Sequence, residues 1–289
     1  MICTLCPRKC GAPRSEESGG GFCAMPVVPV VARAMLHQWE EPCISGSRGS
    51  GAVFFSGCVL GCVFCQNGKI SRERFGKPVS IVRLREIFEE LIAQGAHNIN
   101  LVSPTPFAPA ILEALAPPLP VPVVWNTGGY ERVETLRALE GRVQIWLPDL
   151  KYADAALAKR YSGAGDYFEA ASAAIREMYR QSGDYVLEGG LLRRGVVIRH
   201  LLLPGGLNNA KAVMDWVAET FRPGQVLFSL MSQYTPQPGA EGLLARRVTA
   251  GEYRAALAYM ENLGITEGYR QDSSSAREEY TPAFDLRGI

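Results

Sequence analysis

All eight cysteines of this 289-residue chain lie between positions 3 and 65, and their spacing divides them into two groups and one solitary member. Cys58, Cys62 and Cys65 stand in the segment Phe55-Ser-Gly-Cys58-Val-Leu-Gly-Cys62-Val-Phe64-Cys65. Thiolates are soft ligands, and three on one short loop suit an iron–sulfur cluster that keeps one iron open to a reactant; zinc completed by a fourth ligand elsewhere is the alternative. Cys3, Cys6, Cys10 and Cys23 offer four thiols, the number that closes a site. A structural zinc and a second [4Fe–4S] cluster satisfy that arithmetic equally, and a disulfide pair is a weaker third reading in a reducing compartment. Cys43 is alone and is expected to be a buried structural thiol.

Ligands on so short a loop need a rigid support, and the hydrophobic pattern supplies one. Strands are expected at Ala52 to Phe55, Asn98 to Val102, Val121 to Trp125, Val143 to Leu147, Val196 to Leu203 and Gln225 to Leu230. Between the first two, Ile81, Leu84, Ile87, Phe88, Leu91 and Ile92 share one helix face, with Ser80 in a capping position and Gly95 as the stop. A last helix opens with the capping box Thr249-Ala-Gly-Glu252 and ends at Gly264. This rhythm predicts an α/β fold, a partial (β/α)6 TIM-like barrel. Residues 1–45 are expected to form a Cys-rich metal-binding extension and residues 46–289 the barrel, with the stretch after Gly264 folding over it. Turn residues follow the strands at Ser103-Pro104-Thr105-Pro106, Asn126-Thr127-Gly128-Gly129 and Pro204-Gly205-Gly206, and barrel enzymes build their chemistry at such strand ends.

Composition narrows the partners. Lys and Arg number 30 against 29 Asp and Glu, a formal charge of +1 that argues against a nucleic-acid partner. With 47% hydrophobic and 20% charged residues the chain reads as globular rather than disordered. Met25 to Leu36, the longest weakly polar stretch, is broken by Pro26, Pro29 and Arg33 and is too short to span a bilayer. No apolar segment follows the basic N-terminus as in a secretory leader, so no membrane partner and a cytoplasmic location are expected.

The C-x-x-x-C-x-x-C loop, with an aromatic before its third cysteine and a strand directly ahead of it, resembles the signature of the radical S-adenosylmethionine (SAM) superfamily. The resemblance implies that Cys58, Cys62 and Cys65 hold a [4Fe–4S] cluster, that SAM chelates the open iron, and that backbone near Phe64 approaches the adenine. Further segments resemble one branch, the activating enzymes of glycyl-radical proteins such as pyruvate formate-lyase activase. These are Asp149-Leu150-Lys151 and the strand Val197-Ile198-Arg199-His200-Leu201-Leu202-Leu203-Pro204-Gly205; the run from Cys3 through Phe284 most resembles a pyruvate formate-lyase activase-like subgroup that shares Asn126 to Tyr130 and Gln233-Tyr-Thr-Pro236. They imply that Lys151 and Arg199 meet the carboxylate or ribose region of SAM, that Asp149 orients Lys151 or accepts from a sugar hydroxyl, and that Asn126 and Thr127 belong to the same site. Two departures stand out. The Gly-Gly-Glu-like stretch that contacts the SAM amino group in that family is replaced here by Ser103-Pro104-Thr105-Pro106-Phe107, which leaves Ser103 and Thr105 as candidate acceptors. Around Ser229 to Tyr234 the histidine of the activases is missing.

The activity implied is reductive cleavage of SAM to a 5′-deoxyadenosyl radical that abstracts hydrogen from a substrate protein, peptide or small molecule, with a glycine of a glycyl-radical enzyme as the leading version. A flavodoxin or ferredoxin is the expected electron donor. A peptide- or small-molecule-modifying enzyme without a glycyl-radical partner is the rival within the class. An iron–sulfur electron carrier or a zinc-ribbon interaction protein is the rival outside it, and the long cysteine-free remainder of strand-and-helix pattern argues against both. Of His37, His97 and His200, none forming a metal signature, only His200 beside Arg199 is expected near the site. Trp125, Tyr130 and Tyr234 are expected to pack rather than to act.

Overall fold

The computed structural model describes residues 1–271 and 282–289. Strand β1 (Val30–His37) and the short helix α1 (Pro42–Ser45) lead into β2 (Ser50–Phe55), which runs to the cysteine loop and α2 (Gly68–Ser71). β3 (Lys77–Pro78), α3 (Ile81–Ala93), β4 (Ile99–Val102), α4 (Ala108–Ala114), β5 (Val123–Thr127), α5 (Val133–Ala138) and β6 (Ile145–Pro148) follow. Then come α6 (Ala155–Ser162), α7 (Tyr167–Ser182), β7 (Val186–Glu188), β8 (Leu191–Leu201), α8 (Leu207–Thr220), β9 (Leu227–Met231), α9 (Ala250–Asn262) and β10 (Gly268–Arg270). The sheet order is β10-β9-β8-β6-β5-β4-β2-β1-β3, with β7 paired to β8. Neighbours from β2 through β10 along this path are parallel, which is the architecture of an open, partial (β/α) barrel.

The six expected strands are β2, β4, β5, β6, β8 and β9, in that spatial order. β1 was not among them: it pairs antiparallel with β2, from Val31 opposite Phe55 to His37 opposite Ser50. Residues 30–45, expected in the extension, are therefore built into and against the sheet. Pro26 and Pro29, which interrupt the stretch in sequence, precede the strand and leave its ladder intact. Residues 1–29 carry isolated bridges, Ile2 with Pro13 and Arg14 with Gly19, and no helix or strand.

Strand alternation sorts the side chains between two faces. Val53, Phe55, Leu101, Trp125, Trp146, Val196, Ile198 and Phe228 pack beneath the helices with Leu84, Ile87, Phe88 and Leu91 of α3. On the other face Val124, Ile145, Leu147, Val197 and Leu227 close over Cys43 and Ile44 of α1, which plugs one end of the sheet. Ala52, Phe54 and Val102 meet Ile70 and Phe284 there. Phe284 accordingly lies against the barrel face, whereas residues 272–281 of the C-terminal stretch lie outside the described residues. Ser80 Oγ accepts from the Arg83 N–H and Thr249 forms its capping box with Glu252, so α3 and α9 start at the caps read from the sequence. Among the described residues no helix is long and apolar enough to cross a membrane.

Candidate active site

The apolar plug gives way to polar side chains one step along each strand, at Asn100, Asn126, Asp149 and Arg199, and beyond them the strand ends open into a cleft. β2 delivers the cysteine loop to this rim. Gly57, at φ 78°, makes the turn with its backbone so close to Met25 that a Cβ would come within 2.2 Å of that side chain, so only glycine fits. The Gly57 and Cys58 N–H groups donate to the carbonyls of Ile70 and Ser71, pinning the loop's start to α2. Val63 N–H donates to Tyr161 O at 2.9 Å, pinning its far side to α6.

Cys58, Cys62 and Cys65 all line this cleft, together with Phe64, Ser103, Asn126, Thr127, Asp149, Lys151 and Arg199. Leu60 N–H donates to Cys58 Sγ at 3.4 Å and Ser162 Oγ to Cys62 Sγ at 3.0 Å. Burial pushes the Cys58 thiol up to about 12, and the neighbouring Cys62 and Cys65 push it the same way. Thiolates crowded on one wall are a donor set that a bound cation would stabilise. Among the described residues no three His, Cys, Asp or Glu side chains already converge as a metal-holding group.

A partly buried ionic chain fixes the strand ends along the same cleft. Arg199 Nε donates to Asp149 Oδ1 (2.9 Å), Nη1 to Glu40 Oε2 (3.1 Å) and Nη2 to Asn126 Oδ1 (2.7 Å). Lys151 Nζ pairs with Asp149 Oδ2. Burial opposes ionisation of Asp149, yet Arg199 and Lys151 hold its carboxyl below the ordinary range; burial likewise opposes the Lys151 cation, which Asp149 and then Cys62 sustain. All three nitrogen positions of Arg199 are thus committed within the protein. Among the described residues Lys151 Nζ has Asp149 as its hydrogen-bond partner, which leaves two further protons to donate.

Other residues proposed from sequence fall differently. Thr105 is buried away from the cleft: Oγ1 donates to Glu131 Oε1 at 2.6 Å, an acceptor it shares with Thr127 and Trp125. Burial raises the Glu131 carboxyl despite those donors. His200 does not reach the cleft either. The residue after Arg199 on a strand must take the opposite face, and its Nδ1 meets Leu150 O at 2.7 Å beneath the helices. His37, at the end of the strand the sequence concealed, lines the cleft instead, as do Trp39, Gln233 and Tyr234. Tyr130 and Trp125 are buried, as expected for packing groups. Phe64 is buried with edge contacts to Tyr152, Tyr161 and Tyr234. Glu40 was missed altogether: Glu-Glu-Pro reads as a solvated turn, and only the plug at α1 turns its carboxylate toward Arg199.

The N-terminal cysteines lie outside the cleft. Cys3, Cys6 and Cys23 are buried and Cys10 is exposed. Burial drives the Cys6 thiol up to about 12, with Glu131, Cys23 and Cys3 adding to it, and Cys23 in turn feels Cys3 and Cys10. Arg14 Nη1 approaches Cys3 Sγ at 3.6 Å. Cys43 is buried at the plug, as anticipated for a structural thiol.

Residues 52–205 match the Radical SAM superfamily. The chain belongs to the radical SAM superfamily. Membership implies a [4Fe–4S] cluster and SAM, and the thiols on one wall of a strand-end cleft fit that cluster in kind and number. An uncharacterized protein of Methanocaldococcus jannaschii is 28% identical over 278 residues, covering 91% of this chain and 75% of its own. The structure of Streptococcus suis SuiB bound to S-adenosylmethionine aligns with a TM-score of 0.54 at 12% identity, over 74% of this chain and 48% of that one. SuiB bound to its precursor peptide SuiA aligns at 0.51 and 12%, over 74% and 46%. This radical SAM chain thus spans about half the length of SuiB, and the likeness is one of fold.

Proposed function

We propose that Cys58, Cys62 and Cys65 hold the [4Fe–4S] cluster and that SAM and the substrate meet in the cleft they line. The observation that carries this reading is that the three thiols and the Lys151–Asp149–Arg199 chain line one cavity. When bound, the cluster supplies the electron that breaks a C–S bond of SAM and so generates the radical that removes hydrogen from a carbon. The chain's own residues bind and orient. Lys151 offers its remaining protons to a carboxylate or ribose oxygen, and Asp149 keeps it charged. Arg199 holds Asp149, Asn126 and Glu40 in fixed positions, a positioning role. Ser103 lines the cleft and offers its hydroxyl there, Thr127 is held beneath it by Glu131, and the backbone beside Phe64 would approach the adenine. The Phe64, Tyr152 and Tyr234 rings exclude water from that side.

The substrate in this reading is a protein segment, peptide or small molecule, and the activase resemblance favours a glycine of a partner enzyme. A flavodoxin or ferredoxin supplies the electron. Cys3, Cys6, Cys10 and Cys23 form a separate closed site for zinc or a second cluster. The test is anaerobic reconstitution with iron and sulfide, reduction, and assay of 5′-deoxyadenosine. Release from the parent and none from a variant lacking all three loop cysteines is the expected result. Equal release from both overturns the reading.

A further inference from the structure

One arginine of the N-terminal segment reaches across to the cysteine loop. Arg8 stands in Cys6-Pro7-Arg8-Lys9-Cys10, between two cysteines of the N-terminal group. Its guanidinium leaves that segment entirely. Nε donates to Val59 O at 3.0 Å and Nη2 to Leu60 O at 3.3 Å, both carbonyls lying between Cys58 and Cys62. Nη2 also donates to Ser162 O (2.6 Å) and Nη1 to Gly163 O (2.5 Å), at the C-terminus of α6. A cation there answers the unpaired carbonyls and partial negative charge of a helix end. Ser162 in turn gives its hydroxyl to Cys62 Sγ, so the same cation fixes both the loop backbone and the donor to one of its sulfurs.

The stacking agrees with the hydrogen bonds. The guanidinium lies 3.8 Å from the centre of the Phe22 ring, the residue before Cys23. That ring covers Gly61, where an added Cβ would come within 3.2 Å of it. Four acceptors on two segments, with a third segment stacked above, demand a planar fork of several donors. A lysine has the charge but a single nitrogen, and cannot span them.

We propose that Arg8 is the positioning residue through which the N-terminal cysteine segment holds the 58–65 loop in shape. The proposal deepens the reading of that loop as the cluster site, and its first readout is independent of that reading. Hydrogen exchange on the full-length protein, before reconstitution, compares the parent with Arg8→Lys and Arg8→Gln. Amides of residues 58–65 and 161–163 should exchange about ten- to hundredfold faster in both variants, while β8 and α8 keep the parent's protection. Should Arg8→Gln fail to fold, Arg8→Lys, which preserves the charge, carries the comparison. On reconstituted protein at matched iron, the change that SAM produces in the EPR spectrum of the reduced cluster should be broadened or lost in Arg8→Lys. A role confined to overall stability would leave that spectrum alone. Unchanged exchange across residues 58–65 in a folded variant overturns the proposal. If the loop loosens but the parent releases no 5′-deoxyadenosine, the positioning role stands and the catalytic reading fails.

Discussion

Cys58, Cys62 and Cys65 and the group of Cys3, Cys6, Cys10 and Cys23 offer the same atom type in opposite settings. The first follows a buried parallel strand and lines a cleft shared with Lys151 and Asp149; the second is packed into irregular chain, with three of its four thiols buried and none in the cleft. Soft donors facing a cavity leave room for a reactant, whereas soft donors enclosed by their own loops serve structure. The contrast predicts a hierarchy. Cys62→Ala should abolish 5′-deoxyadenosine release, because that sulfur is buried and supported by Ser162. Replacing Cys3, Cys6, Cys10 and Cys23 together by Ser should remove bound zinc or iron from the protein yet leave measurable release. Metal analysis and product assay on the two variants check this, and complete loss of release in both would erase the distinction between an open and a closed group.

Within the open region a second contrast sets Arg199 against Lys151. Arg199 is the hub of a partly buried network, and its loss leaves Glu40 without a cation and Asp149 with Lys151 alone. Arg199→Leu should therefore destabilise the fold by about 3–5 kcal/mol, read as a lowered denaturation midpoint. Lys151 holds one partner and lines the cleft. Lys151→Met should instead weaken SAM binding about ten- to hundredfold at matched iron, the worth of a charge-assisted hydrogen bond of about 1.5–3 kcal/mol. Arg199 variants that fold normally but lose SAM would reverse the assignment of the two roles.

How much of this was readable beforehand follows from what each residue must satisfy. The six parallel strands announce themselves as buried apolar runs because both their faces are covered. The cysteine loop is legible because its spacing is local. β1 was concealed, since two prolines and an arginine in and before Val30–His37 mask a strand whose partner follows it by a long turn. Glu40 was invisible for another reason: nothing local distinguishes a carboxylate bound for Arg199, 159 residues away, from a solvated one. Thr105 was placed at the cleft because its stretch replaces the family's Gly-Gly-Glu and His200 because it adjoins Arg199, but the short 3-10 turn Thr105–Phe107 sends the first toward Glu131 and strand alternation sends the second beneath the helices. For these two residues the missing information was side-chain direction, not strand location.

The smallest expected effect separates the two faces of β8. His200, packed on the helix side, has its imidazole lowered to about 4, chiefly by burial, with its ring nitrogen on Leu150 O. In the unfolded chain it titrates near 6.5. Above that pH neither state binds the extra proton and the histidine has no effect on stability through titration. As pH falls from 6.5 toward about 4 the unfolded chain takes up a proton that the folded protein refuses, so stability is lost across that window and levels off below it. Glu41 and Glu131 act in the opposite sense, because burial raises their carboxyls and the folded protein gains protons there first. The parent's absolute profile mixes these contributions. His200→Asn keeps a donor for Leu150 O and removes only the titration, so the difference between parent and variant isolates it. Urea unfolding across the window should show the parent losing stability relative to His200→Asn by up to about 1.4 kcal/mol per pH unit. A difference that does not change with pH would mean that the imidazole accepts its proton in the folded state, and that the face opposite Arg199 is open to water.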